Sequence, residues 1–584
     1  MSHSHGLPSL HTHSRRRWWA FAAAVVVVYA TAVAGFWRYG HDHGEGRLVD
    51  AFYLGLQLLL FEPPELQAPI NGVLEAARWG AMALAMVAIG GIAKTMFRQE
   101  WTRWRLRGAR NHIVVFAGER DARAIVAGLR ASNARTTIAA LVDDHGEHPA
   151  ERLDPRAFML FGETARHLHL VRPEHAREVL VVGRDDAANL ALAAAVSESA
   201  NAQRPEGKPL VCHVQIRDVG LRETLRGLTL RERPKSYVRS LDLYERAIRD
   251  LLTRDLPIDG AGIAASDPTD VHVVVVGGGE WALATVGVAA RVGHFANGRP
   301  LRLSVLADDV NRWTRLGEMR FPALADVVRY DAHQWNQDCR EWLREAAHVP
   351  NTRLLVVVAV SSDADAVLYE SVVRSALQGT DARIAVRMQM GPRAAALFAE
   401  GAKTSGVQVR VFGASTPATW ASLVVEDDRE VMALLAHEGF QKLAAAHGRQ
   451  EAVDRALADW HHLTREDYKE SNRQQIDHLP IKLRAVDCEI AEAGDPRPAQ
   501  PWSGDEIEVL AKMEHRRWMA ERRMAGWQHA PGKKDEARRT SPHLVEWERL
   551  AEEIRDYDRS AVRAIPGIVG AVGGRKVSRR SPSS

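Results

Sequence analysis

Two apolar runs in the first hundred residues constrain this chain more than any other feature. The first, Trp18 to Trp37, is twenty residues without a charge, and about twenty apolar residues cross a bilayer core as a helix. The second, Trp79 to Ala93, is fifteen uncharged residues and reaches spanning length when Arg78 and Lys94 extend their charged ends to the interfaces. Residues 18–97 are therefore expected to form a two-span membrane hairpin behind a polar, His-rich tail (1–17). Arg15, Arg16 and Arg17 precede the first run, and Lys94, Arg98, Arg103, Arg105, Arg107 and Arg110 follow the second. The stretch between them, 38–78, carries six acids against Arg38, Arg47 and Arg78. Basic flanks stay inside, so the expected placement is the inner membrane, multi-pass, with both termini cytoplasmic. A cleaved leader is the rival reading of the first run. No A-x-A-like site follows it, which favours a retained anchor.

Between the runs lies Asp50–Phe61, DAFYLGLQLLLF, followed by EPPEL. It is too short to cross, and its Pro-Pro stops a helix. A re-entrant pore helix between two spans, or an amphipathic helix lying on the outer surface, would both look like this. No TVGYG-like run follows to supply the carbonyls of a potassium filter.

The remainder has a soluble composition. A net charge of +3 excludes a general nucleic-acid binder, and the basic residues concentrate at the membrane. Three distant cysteines, Cys212, Cys339 and Cys488, with no Cys-x-x-Cys, argue against disulfides and against a zinc site. No metal site is expected. The 584 residues leave room for about three or four soluble domains.

After a basic linker (98–110), HIVVFA (112–117) reads as a buried parallel strand and GERDARAIVAGL as its helix. TTIAALVDD (136–144), AFMLFGE (157–163), REVLVVG (177–183) with the helix DDAANLALAAAV, and PLVCHVQ (209–215) continue the alternation, which predicts a doubly wound parallel sheet. The pattern repeats 160 residues later with HVVVVGGGEWALATVGVAARV (272–292), LRLSVLADD (301–309), LLVVVAVSSDADAVLYESVVRSAL (354–377) and RIAVRMQ (383–389). The fold class is thus α/β, with two doubly wound Rossmann-like domains at 111–235 and 265–430, related by duplication.

Two spans, a basic linker and VVFAGERDARAI…LVDD…LFGE…VLVVGRDDAANL resemble the regulator-of-potassium-conductance (RCK) fold, the TrkA-type NAD-binding domain. Its D-x-x-N after strand four is matched by Asp186–Asn189, and its Gly-Asp after strand three, loosely, by Gly162–Glu163. The resemblance implies an NAD-binding fold, ring-like homo-oligomers and a link to potassium-channel-like ion transport.

Fingerprint glycines allow a tight turn and close approach to a pyrophosphate held at a helix N-terminus. In the first copy the three positions read Ala117, Glu119 and Ala122, and a glutamate stands where phosphate would lie; Asp143 retains the ribose-binding position. The second copy reads Gly277, Gly279 and Ala282 between strand and helix, with Asp308 ending the next strand. NAD or another nucleotide is the expected cofactor there, although glycines that merely allow close helix–sheet packing explain the same letters. No His or Tyr–Lys constellation can be set opposite a nicotinamide, so the chain is expected not to be an enzyme. No catalytic residue is assigned.

From 466 the chain turns helical and charged. E-H-x-R-W-x-x-E-R-x-x-x-G-W, then S-P-H-L-V-E-W-x-x-L and D-R-x-x-V-R-x-I-P, resemble the ryanodine-receptor (RyR) repeat domain in its bacterial form, over about 460–570. The family is expected to recognise nucleotide-like ligands. On the helix from Asp505, residues Ile507, Leu510, Glu514, Trp518 and Arg522 share a face. Glu514, His515, Arg517 and Arg522 beside Trp518 and Trp527 would grip a small anionic aromatic ligand by stacking and charged hydrogen bonds. Tryptophans filling a small core, with solvated ion pairs, remain the alternative. Ligand-binding residues are expected at Glu514, His515, Trp518, Arg522 and Trp527. His3, His5, His11 and His13 read as a disordered tail, and 571–584 as a basic flexible tail. Of the Asp-Asp pairs 143–144, 185–186, 308–309 and 427–428, three fall just after strands, and strand ends and helix caps are preferred to paired-carboxylate catalysis.

Joined together, these parts predict a membrane-anchored ligand sensor that regulates or forms an ion-conducting pathway. A non-conducting, nucleotide-sensing regulator is the alternative, with an NAD-linked membrane enzyme behind it. The expected partners are membrane lipid, a small nucleotide-like ligand and further copies of the chain, not nucleic acid.

Overall fold

The structure, a computed structural model, describes residues 10–44, 47–60, 70–96, 104–132, 135–143, 151–154, 156–183, 185–205, 209–218, 235–389, 406–413, 428–438 and 466–581, with single positions at 66, 221, 398 and 460. The chain forms two compact units, Met1–Arg105 and Leu106–Ser584.

The first unit holds α1 (Leu10–Asp42), α2 (Leu48–Leu59) and α3 (Gly72–Met96). Trp19–Asp42 and Gly72–Gly90 are long and apolar enough to cross a membrane. The helices meet at backbone level: a Cβ on Gly35 would lie 2.8 Å from Leu74 Cα, and Asn71 Nδ2 donates to Gly35 O at 2.9 Å while Asn71 Oδ1 accepts from Leu74 N. Small residues at a helix contact suit membrane packing, where no hydrophobic force separates helix from lipid. Outside the buried seam of Ala32, Phe36, Ala51, Leu58, Leu74 and Ala81, residues Val26, Val27, Trp79, Met86, Val87 and Ile89 are exposed apolar surface. The expected tail is shorter than 1–17, because α1 starts at Leu10 and carries His11 and His13; His3 and His5 lie outside the described residues.

In the second unit, β1 (His112–Ala117), α4 (Glu119–Ser132), β2 (Ile138–Val142), β3 (Glu151–Asp154), β4 (Ala157–Phe161), α5 (Thr164–Val171), β5 (Ala176–Val182), α6 (Asp186–Gln203), β6 (Leu210–Gln215) and β7 (Ser236–Leu241) build a sheet of order β3-β4-β2-β1-β5-β6-β7. All pairings are parallel except β3 on β4. The sheet runs past the expected boundary at 235, since β7 is its last strand.

Helix α7 (Leu243–Asp250) leads to the second sheet: β8 (Asp270–Val276), α8 (Glu280–Val292), β9 (Arg302–Ala307), α9 (Val310–Arg320), β10 (Arg329–Gln334), α10 (Cys339–Ala347), β11 (Thr352–Val358), α11 (Asp363–Ala376), β12 (Arg383–Arg387) and β13 (Gln408–Phe412). Its order, β10-β9-β8-β11-β12-β13, is entirely parallel. Unbroken apolar runs such as VHVVVV are buried on both faces, as helices on both sides require. The 160-residue repeat is physical: His112, the first residue of β1, and His272, the third of β8, are both fully buried.

The C-terminal part comprises α12 (Asp428–Glu438), α13 (Glu466–Asp477), α14 (Leu479–Ala485), β14 (Cys488–Ala491), α15 (Gly504–Met524), β15 (Gln528–His529), β16 (Thr540–Ser541), α16 (Glu552–Ala571) and β17 (Lys576–Arg579). Ser503 and Glu506 form a capping box that starts α15. β17 pairs antiparallel with β14, so the segment expected as a flexible tail is in part a strand, with Ser578 fully buried. One apolar core runs from the second sheet into these helices, joining Val273, Val286 and Leu303 to Leu483, Leu510 and Val569. Arg484 grips Asp259 with both Nε and Nη2, His478 Nε2 donates to His294 O at 2.9 Å, and Arg516 Nη1 donates to Phe295 O at 3.2 Å.

Candidate functional site

The two expected sites lie in the second crevice and around α15. In the crevice, Gly277 follows β8 with φ of 129°, and a Cβ there would stand 2.8 Å from Ala359 O at the start of the next crossover. A side chain is excluded on both counts. Gly277→Ala is therefore expected to cost about 1–3 kcal/mol, checked by thermal melting; an unchanged midpoint would show that the turn adapts freely. Gly279 is different. It caps α8 in an extended conformation, and a Cβ added to it meets nothing within 4 Å. The space above it is open. Ala282 is fully buried on α8.

Charge opposes the open space. Glu280 begins α8 and is exposed, and an acid at a helix N-terminus occupies the field that would hold phosphate. Asp308 is engaged: its Oδ1 accepts from Tyr369 Oη at 2.6 Å, and burial together with that carboxylate pushes the Tyr369 hydroxyl up. Asp309 caps α9 by accepting from Arg312 N at 2.9 Å. The cation Arg387 is 1% exposed, stacked 4.9 Å over Trp281 and hydrogen-bonded to Ser361 O. Trp281 itself stacks on Tyr244 at 4.2 Å.

In the first copy Glu119 is exposed at the start of α4 and pairs with Arg123 at 2.8 Å, while Ala117 and Ala122 are buried. Asp143 accepts from Thr164 N at 3.4 Å at the head of α5. The D-x-x-N residues tie strands together: Asp186 accepts from Arg217 N and Asp218 N at 2.8 Å, and Asn189 Nδ2 donates to Gly183 O and Gln215 O. Asp363 accepts from Gln389 N at 2.7 Å in the second copy. Asp185 caps α6, as the acid pairs suggest, whereas Asp144 and Asp427 lie outside the described residues.

The residues around α15 divide into two groups. Glu514 is 4% exposed and spends both oxygens on Arg517 and Lys482. Burial raises its pKa, but Arg517 and Lys482 outweigh that and hold it at about 2. Arg517 Nη1 reaches Glu521 at 3.0 Å, which also accepts from Ser471 at 2.7 Å. His515 is 2% exposed between Val545 O and Asp558, whose carboxyl is raised by burial. These two predicted ligand residues are committed to internal partners.

Trp518, Arg522 and Trp527 form the second group. The Arg522 guanidinium lies 5.2 Å from the Trp527 centroid and 6.0 Å from that of Trp518. Arg522 is 6% exposed, and its buried Nε has no hydrogen-bond partner; its nearest acid is Glu521, at 3.6 Å. Met519 and Leu544 back the tryptophans. Sequence reasoning missed Lys534, Tyr468 and His543. Lys534 Nζ sits 5.2 Å from the Trp527 centroid and 5.8 Å from that of Tyr468. His543 stands nearby, its pKa lowered by burial, His515 and Lys534. Lys534 Nζ and Tyr468 Oη both donate to Glu536, at 3.2 and 2.7 Å. Two indoles and the Arg522 guanidinium can hold a flat anion by stacking and charge.

A family model, the RyR domain, matches residues 502–574. No curated protein matches the chain. Among solved structures the chain is similar to one described as the crystal structure of a GsuK mutant, at 15% identity over 73% of this chain and 99% of that one, with a TM-score of 0.36. It is also similar to the crystal structure of GsuK bound to ADP, at 15% identity, 70% and 97% coverage and a TM-score of 0.35. A third, described as the GsuK channel, has 16% identity, 70% and 96% coverage and a TM-score of 0.35. Residues 502–574 thus match the RyR domain, and they follow two α/β sheets and two apolar helices in the chain.

Proposed function

We propose that this chain is a membrane-anchored sensor whose RyR domain takes a nucleotide-like aromatic anion, and whose hairpin regulates or forms a cation pathway of the potassium-channel kind. The observation that carries the reading is Arg522, a nearly buried guanidinium set against two indoles, whose Nε lacks an acceptor. A buried charged donor without an acceptor is costly, and a ligand anion removes the cost. The ligand biases the membrane unit only by binding two conformations with different affinity. The hairpin sits in the inner membrane with both termini cytoplasmic, and copies of the chain assemble around it. NAD or another nucleotide in the second crevice, above Gly279, is a further part of the proposal, and the bound ligand is sensed, not turned over. A non-conducting regulator is the second reading, favoured by the lack of a TVGYG-like run after Phe61.

The test is thermal melting of the full-length protein in detergent against AMP, ADP and NAD. A ligand that binds only the native state raises the midpoint. Arg522→Gln is expected to weaken the RyR-domain ligand at least about ten-fold, the worth of a charge-assisted hydrogen bond. Gly279→Glu should abolish only what binds the crevice. Nucleotide shifts that survive both substitutions, or none at all, would remove the sensing claim. Ion flux in liposomes then separates channel from regulator.

A further inference from the structure

The crevice and the RyR face leave one cationic cluster unexplained, at the opposite edge of the second sheet, where its strands begin. Arg353 is the second residue of β11 and Arg383 the first of β12, and these strands are hydrogen-bonded neighbours. Both side chains reach the loop before β8. Arg353 Nη1 donates to Asp259 O, and Arg383 Nη1 donates to Pro257 O at 2.8 Å. Gly260, with φ of 58°, leaves room for Arg353, since a Cβ there would come within 2.6 Å of Arg353 Nη1. The carboxylate that should balance the pair is spent elsewhere. Asp259 is 1% exposed, and both its oxygens accept from Arg484 at 2.7 and 2.9 Å. Asp267, a second acid in electrostatic reach of Arg353, is occupied by Thr269 N at 2.9 Å.

Three guanidiniums thus meet two acids that are both already engaged. Arg383 Nη2 is buried and has no hydrogen-bond partner. Burial, and then the neighbouring Arg353, pull the Arg383 pKa down to about 10. Asp259 reaches both like charges through space only; their hydrogen bonds go to carbonyl oxygens, and one buried donor is left over. Paired guanidinium forks fit the tetrahedral oxygens of a phosphate group.

We propose that Arg353 and Arg383 seat a phosphate-type oxyanion, free or as a phosphomonoester, at the strand-start edge of the second sheet. The site is independent of the RyR face and of the Gly279 crevice. Its anion neutralises two like charges beside the Asp259–Arg484 pair, which joins the second sheet to α14. Occupancy therefore stiffens the attachment of the RyR domain.

The experiment uses full-length protein in detergent, melted in sodium phosphate and in sodium chloride of matched ionic strength, with glycerol phosphate and AMP as ester probes. Phosphate stabilises proteins generally by exclusion, so the readout is the difference between wild type and variant. Wild type is expected to gain at least about 1 °C over Arg383→Gln and over Arg353→Gln in phosphate, while all three shift equally in chloride. Gains with inorganic phosphate alone identify the free anion; gains with glycerol phosphate as well identify the phosphate group. Should the glutamine variants not fold, Arg383→Lys keeps the charge without the fork and is expected to bind phosphate about five-fold more weakly by calorimetry. Equal shifts in wild type and variants, or equal affinity for Arg383→Lys, would each overturn the site.

Discussion

Glu514→Ala is expected to lower stability by about 3–5 kcal/mol, the penalty for breaking a buried ion pair from one side. The carboxylate holds two cations that are almost wholly enclosed, Lys482 at 1% exposure and Arg517 at 2%. Arg517 keeps Glu521 when Glu514 is removed, but Lys482 loses the acceptor of its hydrogen bond and its main electrostatic support. Burial then drives the ammonium toward its neutral form. Glu514→Gln should cost less, because the amide oxygen still accepts one hydrogen bond. Urea denaturation at pH 7 measures both, and a loss below about 1 kcal/mol for alanine would show that the network is solvated rather than sealed. The same pair sets an acid limit. Glu514 lies at about 2 when folded against 4.5 for an ordinary glutamate. A depressed carboxyl contributes its stability above the unfolded value and loses it as pH falls toward the folded one. This loss falls between about pH 4.5 and 2.

How much of this could be read from the chain depends on where each residue's partners come from. The central strands are legible because HIVVFA and HVVVVG are apolar without interruption, and burial on both faces permits nothing else. The strands that their own sequences do not announce are β3, β7, β10 and β13, which read ERLD, SYVRSL, RYDAHQ and QVRVF. Each is the outermost strand on one side of its sheet and mixes polar residues in, so its pairing is supplied by a neighbour and not by its own pattern. The site residues follow the same rule. Trp518, Arg522 and Trp527 come together from one helix and the turn after it, within reach of helical spacing. Glu514 and His515 share that spacing, but their fate is decided by Lys482, Asp558 and Val545, which are distant in sequence. Lys534 and Tyr468 join the face from separate segments. No local signal marks them.

The buried histidines give the second large expectation, an acid sensitivity that begins well above the carboxylate range. His294 is held at about 3 and His272 at about 4, both chiefly by burial, and His478 lies well below its ordinary value for the same reason. His294 and His478 face each other at 6.1 Å across the joint between the second sheet and α14, with Arg516, Arg517 and Lys482 adding positive charge and Glu514 opposing it. His272 shares a hydrogen bond of 2.8 Å with Ser304 Oγ inside β8 and β9, near Arg302 and Asp331. In the unfolded chain each titrates near 6.5. Between that value and the folded one the unfolded state binds more protons, so stability must fall as pH is lowered. At pH 5, about 1.5 pH units below the unfolded value, His294 and His272 each cost about 2 kcal/mol as neutral imidazoles. Together these two amount to about 4 kcal/mol, a large part of the stability of an ordinary domain, and His478 acts in the same direction. The urea midpoint should therefore drop steeply between about pH 6.5 and 5. His294→Gln, which cannot take up the proton, should make that slope shallower while leaving the Glu514 limb below about pH 4.5 in place. A midpoint that is flat from about pH 7 to 5 would mean that these imidazoles are charged in the folded protein and that water reaches the joint.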